Sequence, residues 1–317
     1  MPLVSVIIPM KNAEPYVREA VESVLTQAGV ELEVVVIDDG STDRSAEIVR
    51  GFGDSRVRII AGPQKGIAAA FNAGLAEARG EFVARCDADD VFPPGRLAWQ
   101  LEFLTANADF GAVCGSFSMM TASGKILAER KSYSGGMDVT PELRRGQGRS
   151  HMSAYLFRTE LLRRVRGCRP FFTMAEDVDL QLRLSEITEI WYEPRSAYLY
   201  RLHDSSITHV QKAAERSFFE GCAISFQRQR MTRADRKDDL DLGRPPAMPV
   251  LDRSTPLTVK QQIQKLLLGQ AWAAHGAGYK GEGLTLAWRA WLTDPRQFNV
   301  LKSVVALAVK PSGQAAV

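Results

Sequence analysis

Cysteine is scarce in this chain, with four in 317 residues. Cys86, Cys114, Cys168 and Cys222 stand far apart. No Cys-x-x-Cys metal or redox motif exists, and reduced thiols in a cytoplasmic setting are the simplest reading. No Gly-x-Gly-x-x-Gly follows any predicted strand, which removes the dinucleotide fingerprint of a dehydrogenase. No run of about 20 apolar residues occurs, so no membrane-spanning helix is expected. The stretch Met1-Pro-Leu-Val-Ser-Val-Ile-Ile-Pro9 lacks the basic segment of a signal peptide and reads as a buried strand. Internal repeats and low-complexity tracts are also missing. Neither sign of charge dominates: 40 basic residues face 37 acidic ones, for a net charge of +3. That mild balance does not imply nucleic acid, and none is expected as a partner. It suits anionic small substrates or a negatively charged membrane face.

What is present begins with an acidic cluster, Cys86-Asp-Ala-Asp-Asp90, after the short apolar run Glu81-Phe-Val-Ala-Arg85. Carboxylates this close repel one another unless something positive is expected nearby. On an extended segment Asp87 and Asp89 point the same way. Such hard oxygen donors suit Mg²⁺ or Mn²⁺ bound with a diphosphate. A bare cluster of this kind also fits a solvated turn that caps the next helix.

The first hundred or so residues alternate between strand and helix. Leu3–Ile8, Leu32–Ile37, Val57–Ile60 and Phe82–Ala84 are apolar runs of strand length. Val17, Val21, Val24 and Leu25 recur at helical spacing, with Asn12 as a candidate cap. Ser41 and Asp43 can start the next helix, a third spans about Gly66 to Ala78, and Pro93-Pro94 introduce a fourth. This rhythm predicts an α/β fold, a Rossmann-like, mostly parallel sheet with helices on both faces. Ligands gather at the carboxyl ends of such strands. Three of those ends carry polar groups: Pro9-Met-Lys-Asn12, Asp38-Asp39-Gly40 and Asp87-Ala-Asp-Asp90.

Several stretches in fixed order carry a resemblance. They are Val4-Ser-Val-Ile-Ile-Pro-Met-Lys-Asn12, Glu33-Val-Val-Val-Ile-Asp-Asp-Gly-Ser-Thr-Asp43, Gly66-Ile-Ala-Ala-Ala-Phe-Asn-Ala-Gly74, Asp87-Ala-Asp-Asp90 with Pro94-Gly-Arg-Leu97 and Gln100, and Glu176-Asp-Val-Asp-Leu180. Over roughly residues 3–208 the chain resembles the inverting, nucleotide-sugar-dependent glycosyltransferases of family two, which have the GT-A type fold. The resemblance implies transfer of a sugar from a nucleoside diphosphate donor, UDP-linked for preference, to a hydroxyl of a glycan or lipid-linked acceptor. The setting it implies is cell-surface polysaccharide or glycoconjugate synthesis.

The resemblance also implies roles. Asp89 ligates Mn²⁺ or Mg²⁺, and Asp87 contacts the ribose or supports the metal. Asp90 is expected to cap the following helix. Asp39, with Asp38 beside it, binds the base, and Pro9 and Asn12 line the same pocket. Lys65 can approach the diphosphate. Asp177 is the general base, Glu176 orients the acceptor or its loop, and His151 faces the acceptor. Tyr200-Arg-Leu-His203 and Ser205-Ser-Ile-Thr208 resemble the segment that closes the nucleotide site, with Arg201 on the diphosphate and His203 completing the metal shell. One departure stands out. Phe71 occupies a place where family members often have arginine, and Lys65 is a candidate replacement. A sugar-phosphate nucleotidyltransferase fits less well, because Pro9-Met-Lys-Asn-Ala13 is not glycine-rich. A non-catalytic nucleotide-sugar-binding protein remains a further alternative.

The expected organisation is a transferase domain over 1–209, with a nucleotide-binding half to 110 and an acceptor half beyond. A C-terminal helical extension follows over 210–317, including a linker at about 232–256. Leu284, Leu286, Ala287, Trp288, Trp291 and Leu292 form an apolar stripe there. It either packs on protein or lies peripherally at the inner face of a membrane.

Overall fold

The first strand, β1 (Leu3–Met10), runs between β2 (Glu31–Asp38) and β4 (Phe82–Arg85), parallel to both. Strand β3 (Val57–Ala61) extends the parallel set beyond β2. This is a computed structural model, and it describes residues 1–129, 135–148, 150–203, 213–249 and 258–313. The predicted strands lie within a residue or two of their expected ends, and the predicted helices are present, the first starting four residues later than an Asn12 cap would place it. Two compact units divide the chain: residues 1–117, 136–200 and 213–252 form the first, and 118–135, 201–212 and 253–317 the second.

In the first unit both faces of β1, β2 and β4 are covered, which is why they read as largely apolar runs. Ile7, Val35 and Ile37 share one core with Phe71 and Leu75 of α3 (Ile67–Glu77). Val6, Ile8, Val34 and Val36 alternate to the opposite face and are also fully buried. Helices α1 (Val17–Leu25) and α2 (Ser45–Arg50) fill the first two crossovers. Gly74 sets how closely α3 approaches the sheet. A Cβ at that position would fall 2.3 Å from Ile7 Cγ2. Gly74→Ala should therefore destabilise the unit by about 1–3 kcal/mol, seen as a lower urea midpoint at unchanged slope.

After α4 (Arg96–Ala106) the topology changes. Strand β5 (Phe110–Thr121) leaves a gap beside β4, and β8 (Tyr155–Arg158) fills it, antiparallel to both. Strand β9 (Glu189–Leu202) follows β5 in the sheet, with the short β7 (Met137–Asp138) beyond it. Arg96 and Gln100 hold this junction. Arg96 Nη2 donates to the Tyr155 carbonyl at 2.9 Å and its Nε to Gln100 Oε1 at 3.0 Å. Gln100 in turn donates to the Ala154 carbonyl at 3.0 Å. Arg96 is fully buried with the Phe92 ring 3.8 Å from its guanidinium, and burial lowers its pKa to about 9. The Pro94-Gly-Arg-Leu97 motif is thus a packing device under the acidic loop.

Helices α5 (Thr140–Leu143), α6 (Thr159–Arg164), α7 (Glu176–Ser185) and α8 (Ala213–Thr232) complete the first unit. The expected linker at 232–256 and the boundary near 209 differ from what is found. Residues 213–252 belong to the first unit. Asp238, inside the supposed linker, is fully buried between Arg169 and Arg230. Charge and proline suggested mobility, but Asp238 is paired with Arg169 and Arg230, and Arg233 with Asp239.

The second unit contains α9 (Val259–Gly276), α10 (Lys280–Thr293) and α11 (Phe298–Val309). Thr258 starts α9 with a capping box to Gln261. Leu267, Ala290 and Val300 form one small core, and Ala271, Ala287 and Leu307 another. Leu284, Leu286 and Trp291 pack against these cores, so most of the α10 stripe is spent on helix packing. Strand β6 (Ile126–Glu129) pairs with the end of β5. No helix among the described residues is long and apolar enough to cross a membrane.

Candidate active site

Strands β1, β2 and β4 end side by side. Met10 lies opposite Asp38, and Ile7 opposite Arg85. The Cys86 amide then donates to the Ile7 carbonyl at 3.0 Å. Parallel strands share one carboxyl edge, so Pro9, Asp38, Asp39 and Asp87 emerge together there.

The loops leaving this edge are tied by side chains. Asn12 has a left-handed backbone (φ 52°) and is not the cap of α1, which starts at Val17 behind Tyr16. Asn12 Oδ1 instead accepts the Thr42 amide at 2.8 Å. Asp38 Oδ1 accepts the Ser41 amide at 2.9 Å and closes the turn after β2. Asp39 is buried and grips the loop before α3. Its Oδ1 accepts the Gln64 amide at 2.6 Å, and its Oδ2 the Gly66 amide at 2.9 Å. Each carboxylate oxygen keeps a second lone pair for a ligand. Gly62 makes this closure possible, since a Cβ there would lie 2.8 Å from Asp39 Oδ1. Lys65, between the two gripped amides, is exposed.

The acidic loop is organised from below. Asp87 Oδ1 accepts Arg85 Nε at 2.6 Å, and Oδ2 accepts the Ser153 hydroxyl at 3.1 Å. The Tyr198 hydroxyl accepts the Asp87 amide at 3.0 Å and also bonds the Asp90 side chain. Asp90 is buried, and the cap of α4 is Gly95. The expected capping role of Asp90 is therefore replaced by an internal one. Asp89 is half-buried between them.

Arg85 is the residue that sequence reasoning missed. It ends β4, is almost wholly buried, and donates through Nη1 to Glu176 Oε1 at 3.1 Å. One guanidinium thus joins the acidic loop to the start of α7. A charge inside an otherwise apolar strand must find partners, and that was the available signal. Burial raises the Glu176 pKa above its ordinary value; Arg85 opposes the rise and the Asp177 charge adds to it.

The approach to α7 is also braced. Asn72 of α3 accepts the Cys168 amide at 2.8 Å and donates back to the Cys168 carbonyl at 2.7 Å. Ala175 enters the helix in a left-handed conformation (φ 57°). The Glu176-Asp-Val-Asp-Leu180 stretch then divides by direction. Glu176 meets Arg85, and Asp177 stays half-buried in the first turn. Asp179 turns inward to Arg169 and Arg183. Phe71, the departure from the family pattern, is fully buried in the core beside Ile7 and Leu75. Position 71 faces the core here.

His151 is half-buried, with its ring 4.6 Å from Phe117 and 6.1 Å from Tyr200. Arg201 and His203 are both buried and belong to the second unit, where Arg201 donates to the Ala122 carbonyl at 2.9 Å. Residues 205–208 and His209 lie outside the described residues. Among the described residues no three His, Cys, Asp or Glu side chains converge as a metal cage. The donor set still fits a hard cation, because Mg²⁺ is usually held by one or two carboxylates with substrate phosphates rather than by an all-protein cage.

Residues 5–154 match the family described as Glycosyl transferase family 2. They are a family 2 glycosyltransferase domain. The chain is 30% identical over 253 residues to a hyaluronan synthase of Pasteurella multocida. That match covers 77% of this chain and 25% of the synthase, so the chain spans about a quarter of that relative's length. Among solved structures, S. aureus TarS in complex with UDP-GlcNAc aligns with a TM-score of 0.55 at 17% identity, covering 97% of this chain and 91% of that one. The mannosyltransferase PcManGT of Pyrobaculum calidifontis, in complex with GDP-Man and Mn²⁺, aligns with a TM-score of 0.51 at 21% identity, covering 98% and 86%. At these identities the structural likeness shows the fold, which is of the GT-A type.

Proposed function

We propose that this glycosyltransferase is an inverting enzyme moving a sugar from a UDP-linked donor to a hydroxyl of a glycan or lipid-linked acceptor. The observation that carries the proposal is the Arg85 bridge. It joins a carboxylate at the nucleotide edge, Asp87, to one at the head of α7, Glu176. Donor and acceptor machinery then occupy one place. The UDP-GlcNAc complex of TarS favours a UDP-linked donor.

In this reading Pro9, Asn12, Asp38 and Asp39 hold the nucleotide, and the exposed Lys65 faces its diphosphate. Asp89 would hold a divalent cation, with Asp87 beside it steadied by Arg85 and Ser153. When bound there, such a cation would offset the negative charge on the leaving diphosphate without proton transfer. Asp177 accepts the acceptor hydroxyl proton as that oxygen attacks the anomeric carbon. The carbon–oxygen bond to the diphosphate breaks, and its electron pair departs with the phosphate oxygen. Glu176, held by Arg85, and His151 position the acceptor. A single displacement inverts the anomeric centre.

Thermal stability against a panel of nucleotide sugars, with and without Mn²⁺ or Mg²⁺, tests the donor half. A ligand that binds only the folded state raises the melting temperature. A UDP-sugar with metal should give the largest rise, and Asp89→Ala should abolish the metal-dependent part of it. If no nucleotide sugar raises the melting temperature under either condition, the proposal fails.

A further inference from the structure

The last helix, α11, is apolar on two opposite sides. Val300 and Leu307 face the cores of the second unit and are buried. Phe298, Val305 and Val309 are exposed by 74%, 55% and 78%. They are spaced seven and four residues apart, which on a helix makes one continuous outer stripe. Lys302 is exposed on the same stripe. A helix with apolar stripes on two opposite sides is normally covered on both of them. In the second unit the cores cover only the inner side.

The charge around this stripe points to what covers it. Over residues 258–313 seven basic side chains stand against two acidic ones, Glu282 and Asp294. Arg296, Lys302 and Lys310 lie on or at the ends of α11. A second copy of the chain would bring two like-charged faces together, which costs energy. An anionic lipid surface takes both features at once, apolar side chains below the headgroups and lysines among them. With 12 residues, the helix rises only about 18 Å, against roughly 30 Å of bilayer hydrocarbon. It therefore lies along the interface and does not span it.

We propose that the outer face of α11 docks the protein peripherally onto an anionic membrane surface. The proposal goes beyond the catalytic reading and stands or falls apart from it. The test is co-sedimentation of the full chain with vesicles of phosphatidylcholine alone or mixed with phosphatidylglycerol. Binding should need the phosphatidylglycerol and should weaken as salt screens the lysines. Val305→Glu with Val309→Glu should weaken binding at least about tenfold, and Lys302→Glu by about fivefold or more. Both side chains of the double variant are exposed, so its melting temperature and its shift with a UDP-sugar should match the wild type. Wild-type protein that ignores anionic vesicles, or a double variant that binds as the wild type does, overturns the proposal. Sedimentation velocity separates the other occupant. A dimer that the double variant converts to monomer assigns the stripe to a second copy and equally overturns it.

Discussion

Asp177→Asn should lower transfer by about 10²–10⁴-fold while leaving the UDP-sugar and metal affinities close to wild type. The amide keeps the shape and the polar character of the side chain but cannot accept the acceptor proton. Asp177 sits in the first turn of α7 and is half-buried, so it is open to a ligand. Its neighbours in the same motif are spent elsewhere. Glu176 is bound to Arg85, and Asp179 is enclosed by Arg169 and Arg183. Removing either neighbour should disturb the fold, whereas removing the Asp177 charge should disturb chemistry alone. The discriminating readout is a fall in kcat with an unchanged melting temperature and an unchanged donor Kd. Undiminished transfer by Asp177→Asn would remove this residue from the mechanism.

Arg85→Met should cost about 3–5 kcal/mol of folding stability and nearly all activity. The methionine matches the arginine stem but strands two carboxylates, Asp87 and Glu176, without their shared cation. Glu176 is already pushed up by burial, and without Arg85 it is pushed further. Arg85→Lys separates structure from function. A lysine restores one positive charge but cannot fork to two carboxylates about as a guanidinium does. This variant should regain most of the stability while kcat stays low and KM for the donor changes little. If the lysine variant restores both, Arg85 supplies charge only and does not set the geometry between the two halves of the site.

Much of the sheet was legible because burial on both faces writes β1, β2 and β4 as mostly apolar runs. Their polar carboxyl ends then located the nucleotide edge. The insertion of β8 between β4 and β5 was not legible. Its partners, Phe82–Ala84 and Ala112–Cys114, are distant in sequence, and periodicity says nothing about pairing. Single polar residues misled where tertiary partners outbid local ones. Asn12 looked like a cap but bonds Thr42, and Asp90 looked like a cap but is buried against Tyr198. Composition misled at Asp238, which stands in a charged, proline-rich stretch yet closes an ion-pair network with Arg169 and Arg230. Arg85 was overlooked because its role depends on Glu176, ninety-one residues away.

The central claim is single-displacement transfer with Asp177 as base, and the stereochemistry of the first product tests it without knowledge of the acceptor. Proton NMR should follow slow donor hydrolysis with Mg²⁺, using the UDP-sugar that stabilises the protein most, before the released sugar mutarotates. An α-linked donor should yield the β-anomer first, and Asp177→Asn should suppress its appearance. Release of the α-anomer first, or hydrolysis that is indifferent to Asp177, would contradict the account.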